Sequence, residues 1–372
     1  MIAFLDLAAA TRELKAEIDA AVARVVTSGW YVGGPEVAAF EAEWAHYCGA
    51  RHGVGLGNGL DALHLALKAV GVGPGDEVIV ASNGYIATQL AVSMAGATPV
   101  PVEPDSATHN LDPGRIEAAI TPRTRAILPT HLYGQPADLD PMLEIAKRHG
   151  LKLIDDAAQA HGAKYRGRRI GRHGAHGHTA SITCWSFYPS KNLGALGDGG
   201  AVTTDDPELA EKIRRLGNYG SSIRYVNQEL GVNSRLDPIH AAVLRVKLAT
   251  LDQWNHRRRA IAELYSAALA DCDGLSVPYV PAWAEPAWHL YVVQCDDRER
   301  LAARLAEAGV QTLIHYPIPP HRQQAYADMG LGEGSLPIAE RLATRVLSLP
   351  IGPQLGQDDA ERVAEAVRRA AR

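Results

Sequence analysis

The sequence predicts an α/β protein that has a large domain with a mostly parallel sheet and a smaller C-terminal α/β domain. Three observations support this prediction. The chain has 372 residues, and a chain of that length usually divides into more than one compact unit. Apolar, strand-like runs alternate with helical patterns in the first half, which is typical of βαβ units. The sequence then changes character after Asp237.

The first half of the chain supplies the strands of the predicted parallel sheet. The strand-like runs and the helical patterns after them are "HGVGLGNG" and "LDALHLALKAV", "DEVIVAS" and "YIATQLAVSMA", "TPVPVE" and a segment near Ile116, and "RAILPTHLYG" and "LDPMLEIAKRHG", with "LKLIDD" as a fifth strand. Glycines and Pro74 in "GVGPGDE" end the first helix before the second strand begins.

The second half predicts a linker and a small domain. The run "HAAVLRVKLATLDQWNHRRRAIAELYSAALA" predicts one long helix after Asp237. Beyond Leu275 the shorter strands "AWHLYVVQC" and "VQTLIHY" alternate with helices. We therefore expect an N-terminal segment and the large domain over residues 1–250, and the linker helix and small domain over 251–372. The segment from Met1 to about Tyr47 is expected to pack near the small domain.

Composition excludes several classes of function. The apolar fraction of 47% and charged fraction of 21% are those of an ordinary globular protein, and the net charge of -5 gives no basic field for nucleic acid or a membrane surface. The four cysteines contain no C-x-x-C pair, which favours neither a zinc ribbon nor a disulfide framework and fits a reducing cytoplasm. The N-terminus has no long apolar stretch. The sequence thus predicts a cytoplasmic protein without a signal peptide or membrane span.

The carboxyl ends of parallel strands are where ligands bind, so the residues after each strand are the first candidates. Gly57, Asn58, Gly59 and Leu60 follow the first strand and open a helix, and the free amides of a helix N-terminus suit a phosphate. The same letters also fit a dinucleotide fingerprint that ends in Ala62, and a plain tight turn is a third interpretation.

Two further strand ends carry polar groups. Asp156 and Gln159 follow "LKLID" at positions i and i+3, which puts them on one side of a helical turn. Asp156 could instead be a helix cap. The run "CWSFYPSKN" adds the Ser186 hydroxyl and the Lys191 amine. An isolated lysine is usually a solvated surface group, but this one follows an apolar strand and a proline turn.

One ligand, pyridoxal phosphate, accounts for these groups together. Lys191 provides an amine whose pKa its surroundings can lower, so that it can bind the cofactor's aldehyde. Asp156 provides the buried carboxylate that keeps the pyridine nitrogen protonated. Gln159 can hydrogen-bond the phenolic oxygen of the ring, and Tyr85 can stack on the ring face. The amides around Gly59, together with the Ser186 hydroxyl, can hold the phosphate.

At this point the sequence resembles the DegT/DnrJ/EryC1/StrS sugar aminotransferases. The resemblance covers nearly the whole chain and lies in "GNGLDALHLAL", "GDEVIVASNGYIAT", "HLYGQPADLDPM", "DDAAQAHGA", "SFYPSKNLGALGDGGAVTTDD" and "GVNSRLD". It implies the aspartate aminotransferase fold (fold type I), pyridoxal phosphate as cofactor, L-glutamate as amino donor and a homodimer with shared active sites. It also implies that Lys191 binds the cofactor covalently, and that Asn233 reaches the phosphate from the partner subunit.

The resemblance extends to the substrate. "GNGLDALHL" and "SNGYIAT" are similar to enzymes that aminate nucleotide-linked keto-deoxyhexoses at C3, whereas relatives acting at C4 more often carry "SSGTAALH". We therefore expect a 3-keto-6-deoxyhexose linked to thymidine diphosphate, with the 4-keto sugar as the alternative. The candidate substrate residues are Tyr31, His161, Tyr219, Tyr316 and His321. Three positions depart from the family pattern, namely Gly84, Asp155 and Ser190.

Four other interpretations of the sequence are less favoured. His173, His176 and His178 lie within a few residues and suggest a metal site, but no carboxylate or cysteine shares their run, so a surface loop is favoured. A nicotinamide enzyme would need an acidic residue at the end of the second strand, and "VIVASNGY" has none. A regulator that binds pyridoxal phosphate would need a DNA-binding segment. A dehydratase of this fold would replace the lysine with histidine.

Overall fold

The computed structural model describes residues 1–171 and 181–371. Its helices are α1 (Leu7–Glu13), α2 (Lys15–Ser28), α3 (Pro35–Cys48), α4 (Gly59–Ala69), α5 (Ile86–Met94), α6 (Leu139–His149), α7 (Pro207–Gly217), α8 (Pro238–Leu248), α9 (Leu251–Leu269), α10 (Arg298–Glu307), α11 (Pro337–Arg345) and α12 (Gln357–Ala370). Its strands are β1 (His52–Leu56), β2 (Glu77–Ala81), β3 (Thr98–Val102), β4 (Thr124–Leu128), β5 (Lys152–Asp156), β6 (Lys164–Tyr165), β7 (Arg168–Arg169), β8 (Ser181–Ser186), β9 (Gly200–Thr204), β10 (Ser221–Ile223), β11 (Val226–Asn227), β12 (Leu275–Ser276), β13 (Ala284–Glu285), β14 (Tyr291–Cys295) and β15 (Val346–Leu349).

A seven-stranded sheet forms the centre of the molecule, in the order β1-β9-β8-β5-β4-β2-β3. The pairs β2–β3, β2–β4, β4–β5 and β5–β8 are parallel, and β9 is antiparallel to both β1 and β8. Every residue of β2 and β9 is buried, as expected for a sheet covered by helices on both faces. The predicted α/β fold with a mostly parallel sheet is confirmed.

A second sheet, β12-β14-β15, is antiparallel and belongs to the C-terminal part of the chain. Its core is separate from that of the large sheet and surrounds Tyr265 on α9, Tyr291 on β14 and Val363 on α12. The helices α9 and α12 pack against each other. The small C-terminal α/β unit is therefore present, and the boundary at residue 250 stays a prediction.

The prediction of one long helix after Asp237 was wrong, because the structure has two helices there. The first, α8, ends at Leu248 and the second, α9, begins at Leu251. The apolar pattern runs through both, so the sequence alone did not show the break. The two helices serve different neighbours: α8 packs against α2 and α3, whereas α9 packs against α12. The turn between them redirects the chain from one core to the other.

Three smaller predictions also need correction. Near Ile116 the chain forms two short 3-10 helices instead of one longer helix, and Gly114 has a low helix propensity. "VQTLIHY" forms isolated bridges, Ile2 to Val310 and Leu313 to Ser348, instead of a strand. Ile2 thus lies on the small unit as expected, but α3 packs against β1 and α8 of the large one.

Among the described helices, none combines the length and the apolar character that crossing a bilayer requires.

Candidate active site

Asp156 is the last residue of β5 and lies buried at the carboxyl end of the central sheet. Its Oδ2 accepts a 2.7 Å hydrogen bond from Thr88 Oγ1 and a longer one, 3.4 Å, from Thr130 Oγ1. Its Oδ1 accepts a 3.1 Å bond from the Ala158 amide. A turn follows β5, not a helix, so the helix-cap interpretation of Asp156 was wrong. The carboxylate is held by two hydroxyls and one amide.

The protonation of Asp156 reflects opposing influences. Burial raises the pKa of this carboxyl, while the Thr88 and Ala158 hydrogen bonds and the charge of Lys191 lower it. The raised pKa indicates that the protein alone does not fully compensate the buried charge. A cationic group at this position would do so, because an adjacent positive charge favours the ionised carboxylate.

Asp155, the preceding residue, lies on the opposite face of the strand, since side chains alternate along β5. It is buried, and burial raises the pKa of its carboxyl to about 7. Thr183 Oγ1 donates a 3.4 Å bond to Oδ2. Among the described residues, Oδ1 has no hydrogen-bond partner. Asp155 is therefore a buried acid beneath the site and does not share the surroundings of Asp156.

Gln159 joins the turn after β5 to the small unit. Its Oε1 accepts a 2.6 Å hydrogen bond from the Tyr133 amide, and its Nε2 donates a 3.1 Å bond to the Tyr316 hydroxyl. The Tyr133 hydroxyl in turn donates to the His315 carbonyl. The burial of Tyr316 raises the pKa of its phenol, and Asp156 is among the nearby charges. Tyr316 therefore lies close to both predicted cofactor residues.

The start of α4 packs directly against Ser186. Asn58 caps this helix through a 2.8 Å hydrogen bond from the Asp61 amide to its Oδ1. A Cβ on Gly59 would lie 2.6 Å from Ser186 Cβ, and a Cβ on Gly200 would lie 2.3 Å from the Asn58 carbonyl oxygen. Only glycines permit this close approach. It places the first-turn amides, which have no intrahelical acceptors, beside the Ser186 hydroxyl.

Lys191 lies on a tight loop after β8. Its amide donates a 2.8 Å hydrogen bond to the Tyr188 carbonyl. A Cβ on Gly194 would lie 2.4 Å from the Pro189 carbonyl oxygen, so the loop closes on itself only with glycine there. Burial lowers the pKa of Lys191 to about 8, against the opposing effect of the Asp156 charge. A lowered pKa is what a nucleophilic amine requires.

Burial and the charge of Lys191 keep three histidines in the neutral form. Burial lowers the pKa of His161 to about 3 and that of His315 to about 4, and it lowers the pKa of His289 well below its usual value. The charge of Lys191 acts in the same direction on all three. The histidines that the charge of Lys191 affects are therefore neutral.

The aromatic rings of Tyr85 and Tyr316 lie beside each other, with centroids 5.3 Å apart and planes inclined by 36°. Tyr85 precedes α5 and its side chain is half exposed. Because Tyr316 also bonds Gln159, Tyr85 lies at the open side of the same site, where a ring could stack.

The predicted substrate residues divide into two groups. Tyr31 and Tyr219 are half exposed; the Tyr31 hydroxyl donates to the Val26 carbonyl, and the Tyr219 ring lies under Arg235. Asn233 is also exposed in this chain. Tyr316 is described above, and the remaining two candidates, His161 and His321, have buried side chains.

His161 is fully buried against Trp44, Trp185 and Phe187. His321 is 2% exposed, and its Nε2 lies 3.0 Å from Glu340 Oε1. Neither imidazole presents surface to a sugar in this chain. His321 was a candidate because it lies on a proline-stiffened loop of the small domain, and that pattern does not report burial.

Sequence reasoning missed several residues at the site. Thr130 follows β4, so the carboxyl-end rule could have identified it. Thr88 lies in "SNGYIAT", but nothing in the pattern singled out its hydroxyl. His289 and His315 come from the small unit, whose docking onto the large one no local signal predicts.

Within residues 1–171 and 181–371, no group of three or more His, Cys, Asp or Glu side chains is arranged to hold a metal ion. His173, His176 and His178 lie outside the described residues.

Comparison with known proteins identifies the family. The family model described as the DegT/DnrJ/EryC1/StrS aminotransferase family matches residues 12–368. The chain belongs to this family. It is 57% identical to the erythromycin biosynthesis sensory transduction protein EryC1 of Saccharopolyspora erythraea, over 99% of both chains. It is 56% identical to dTDP-3-amino-3,4,6-trideoxy-alpha-D-glucose transaminase of Streptomyces venezuelae, over 99% of this chain and 95% of the relative.

A solved structure gives the same result for the fold. The crystal structure of S. venezuelae DesV in complex with a ketimine intermediate superposes with a TM-score of 0.97, at 56% identity, over 100% of this chain and 98% of that one. The predicted fold type is confirmed, and the chain is an aminotransferase of the family. The dinucleotide-fingerprint interpretation of residues 57–62 therefore does not apply.

Pyridoxal phosphate is the cofactor of this aminotransferase, and the geometry fits it. The close approach of Gly59 to Ser186 leaves helix-terminal amides and a hydroxyl together, as a phosphate requires. Asp156 is a buried carboxylate with a raised pKa, suited to a cationic ring nitrogen. Lys191 has the lowered pKa of an amine that attacks an aldehyde.

Proposed function

We propose that this aminotransferase moves an amino group from L-glutamate to C3 of a 3-keto-6-deoxyhexose linked to thymidine diphosphate. The observation that carries the proposal is the likeness, over nearly the whole chain, to a transaminase whose name specifies a dTDP-linked 3-amino sugar. The C3-type strings "GNGLDALHL" and "SNGYIAT" support the same choice, and both lie at the site: the first opens α4 and the second contains Tyr85 and Thr88.

The roles of the cofactor residues follow from their surroundings. When bound, pyridoxal phosphate supplies an aldehyde carbon that accepts the amino group and a ring that delocalises negative charge. Asp156, kept in place by Thr88, would hold the ring nitrogen protonated. Gln159 would donate through Nε2 to the phenolic oxygen, and Tyr85 would cover one face of the ring. The amides of Asn58, Gly59 and Leu60 with the Ser186 hydroxyl would hold the phosphate.

Lys191 has two tasks in this proposal. It would hold the aldehyde of the cofactor in the resting enzyme, and its amine, when free, would carry a proton to and from the substrate carbon. With a pKa near 8, a useful fraction of the amine is neutral at neutral pH, so it can accept that proton. The neighbouring histidines are neutral, so burial, and not a nearby positive charge, lowers the pKa of Lys191.

The enzyme is proposed to act as a homodimer whose two sites each draw on both subunits. Asn233 is exposed in this chain, and its neighbour Ser234 is fixed close to the phosphate loop, since Ser234 Oγ accepts a 2.9 Å bond from the Gly57 amide. A residue that is exposed next to a ligand site is available to a second copy of the chain. The partner subunit's Asn233 would then complete the phosphate site.

The substrate cleft is proposed to involve Tyr31, Tyr219 and Tyr316. All three are aromatic residues with a hydroxyl, which suits a sugar nucleotide that needs both stacking and hydrogen bonds. Tyr316 already contacts Gln159 and Tyr85, so it lies where the cofactor and the sugar would meet.

We further propose a cytoplasmic location, in keeping with the four unpaired cysteines.

A side-by-side assay tests the substrate. The purified enzyme receives L-glutamate and either the 3-keto or the 4-keto isomer of the dTDP-linked sugar, and NMR locates the amine in the product. We expect faster conversion of the 3-keto isomer to a C3 amine, with Lys191→Ala as the inactive control. Faster conversion of the 4-keto isomer to a C4 amine would overturn the choice of sugar. No amino transfer to either isomer would overturn the assignment to 6-deoxyhexoses.

A further inference from the structure

Asn192, the residue after Lys191, is bonded at every polar atom of its side chain. The side chain is buried, with 4% of the residue exposed. Its Nδ2 donates to Asn255 Oδ1 at 2.9 Å and to the Ala287 carbonyl at 2.7 Å. Its Oδ1 lies 3.2 Å from His289 Nδ1. Because both amide protons are already used, Oδ1 is the acceptor and His289 Nδ1 carries the proton.

Asn255 extends this connection to the segment that carries Asp156. It is a buried residue of α9, and its Nδ2 donates a 2.8 Å hydrogen bond to the His161 carbonyl. Gly162 makes room for it, since a Cβ there would lie 2.5 Å from Asn255 Nδ2. His161 is only five residues beyond Asp156. The two asparagines therefore join the lysine loop to the turn after β5.

The small unit forms the other side of the connection. Ala287 and His289 flank Trp288 just before β14, and Arg258 donates hydrogen bonds to the Trp288 and His289 carbonyls at 3.2 and 3.3 Å. Arg258, like Asn255, belongs to α9, so its hydrogen bonds fix residues 287–289 to that helix. Asn192 thus bonds two segments, α9 and residues 287–289, and neither belongs to the lysine loop.

Packing does not hold the loop on this side. A cavity of about 310 Å³ is lined by Ser190, Lys191 and Asn192 together with residues of α1. A second cavity, of about 630 Å³, is lined by Ser190 and His289. Space of this size leaves a loop free to move unless directional bonds restrain it. The bonds of Asn192 are such restraints, one residue from the amine.

We propose that Asn192 is the positioning residue of this aminotransferase, which holds Lys191 in line with Asp156 through Asn255 and His289. The inference rests on the proposed role of Lys191 as the cofactor lysine. Loss of these bonds lets the lysine loop shift toward the cavities, and a displacement of about 1 Å can reduce the rate by about 100-fold. Substrate binding is affected less, because the polar atoms of Asn192 are already bonded to other protein groups.

The test compares Asn192→Ala and Asn255→Ala with wild type. Asn255→Ala removes one bond to Asn192 and is the second variant should Asn192→Ala not fold. The control is Glu77→Gln, which disturbs a buried bonded group at the amino end of β2, the opposite end of the sheet. For each protein we measure kcat, KM, the pH midpoint of the cofactor absorbance, and the position of the label after borohydride reduction.

We expect kcat to fall about 10- to 100-fold in both asparagine variants with KM nearly unchanged. The pH midpoint of the absorbance should shift, since that absorbance reports protonation of the nitrogen that joins Lys191 to the cofactor, and this nitrogen would move relative to Asp156. In a variant that carries both Asn192→Ala and Asn255→Ala, the loss of kcat, expressed as activation free energy, should be smaller than the sum of the two single losses, because both residues act through one bond. Glu77→Gln should change thermal stability alone.

Wild-type kcat and pH midpoint in both variants would overturn the positioning role while label on Lys191 still supports the proposed function. A loss confined to thermal stability, like that of the control, would also overturn it. Label on a different lysine in wild type would overturn the role of Lys191, and this inference with it.

Discussion

Thr88 Oγ1 donates a 2.7 Å hydrogen bond to Asp156 Oδ2 across the carboxyl end of the sheet. Thr88 lies in the first turn of α5, whereas Asp156 ends β5, so the bond depends on the fold bringing two distant segments together. Burial alone would favour the protonated form of Asp156, and this hydrogen bond acts against it. Thr88 therefore helps to stabilise the ionised form of Asp156, which the cofactor needs.

Thr88→Val should lower kcat by about 10- to 100-fold, because a hydrogen bond to a charged group contributes roughly 1.5–3 kcal/mol. Steady-state kinetics at saturating substrate measure the loss. Thr130→Val is the matched comparison: its 3.4 Å contact to the same oxygen is weaker, so its effect should be smaller. Equal kcat for Thr88→Val and wild type would show that the bond does not sustain Asp156.

Gly59→Ala should weaken cofactor binding by at least about 10-fold. The added methyl would lie 2.6 Å from Ser186 Cβ, too close for either group to stay in place, so the amides and the hydroxyl would separate. Titration of the cofactor-free protein with pyridoxal phosphate, followed by absorbance, gives the Kd. Gly73→Ala is the control, since a Cβ there meets nothing within 4 Å. The same Kd for both variants would contradict the phosphate site.

Lys191→Met should stabilise the cofactor-free protein at pH 7 by about 2–3 kcal/mol. The folded-state pKa of Lys191, about 8, lies below its ordinary value of 10.5, so below pH 8 folding buries a charge at full cost. Between pH 8 and 10.5 the unfolded chain keeps a proton that the folded chain has lost. Wild-type stability therefore rises with pH in this range, and the advantage of the variant disappears.

Urea unfolding of the two cofactor-free proteins at pH 7, 9 and 10.5 measures this difference. Lys147→Met, a change at an exposed lysine of α6, is the control, and its difference in stability from wild type should be the same at all three pH values. An advantage of Lys191→Met that persists unchanged at pH 10.5 would contradict the buried-amine account.

Mixed dimers test the shared site. When Lys191→Ala and Asn233→Ala chains exchange subunits at equal amounts, half of the dimers are mixed and each mixed dimer has one intact site. About a quarter of wild-type activity should then return. Mixing Lys191→Ala with Lys191→Met should restore none. Absence of recovery after subunit exchange has been verified would show that Asn233 serves its own subunit.

The sequence predicted the residues that stand at strand ends, because the position of a strand in a parallel sheet determines where its carboxyl end lies. Asp156, Ser186 and Lys191 were identified in this way. It did not predict the break between α8 and α9, since the apolar pattern is continuous and the turn depends on which core each helix meets. Burial of His161 and His321, and the approach of His289 to Lys191, likewise depend on how the two units dock.

The most direct test of the account is to locate the cofactor. The enzyme loaded with pyridoxal phosphate is reduced with borohydride, digested and mapped by mass spectrometry. The account predicts a single pyridoxyl group on Lys191 and its disappearance when L-glutamate is added before reduction. A pyridoxyl group on any other lysine, or one that L-glutamate leaves unchanged, would contradict it.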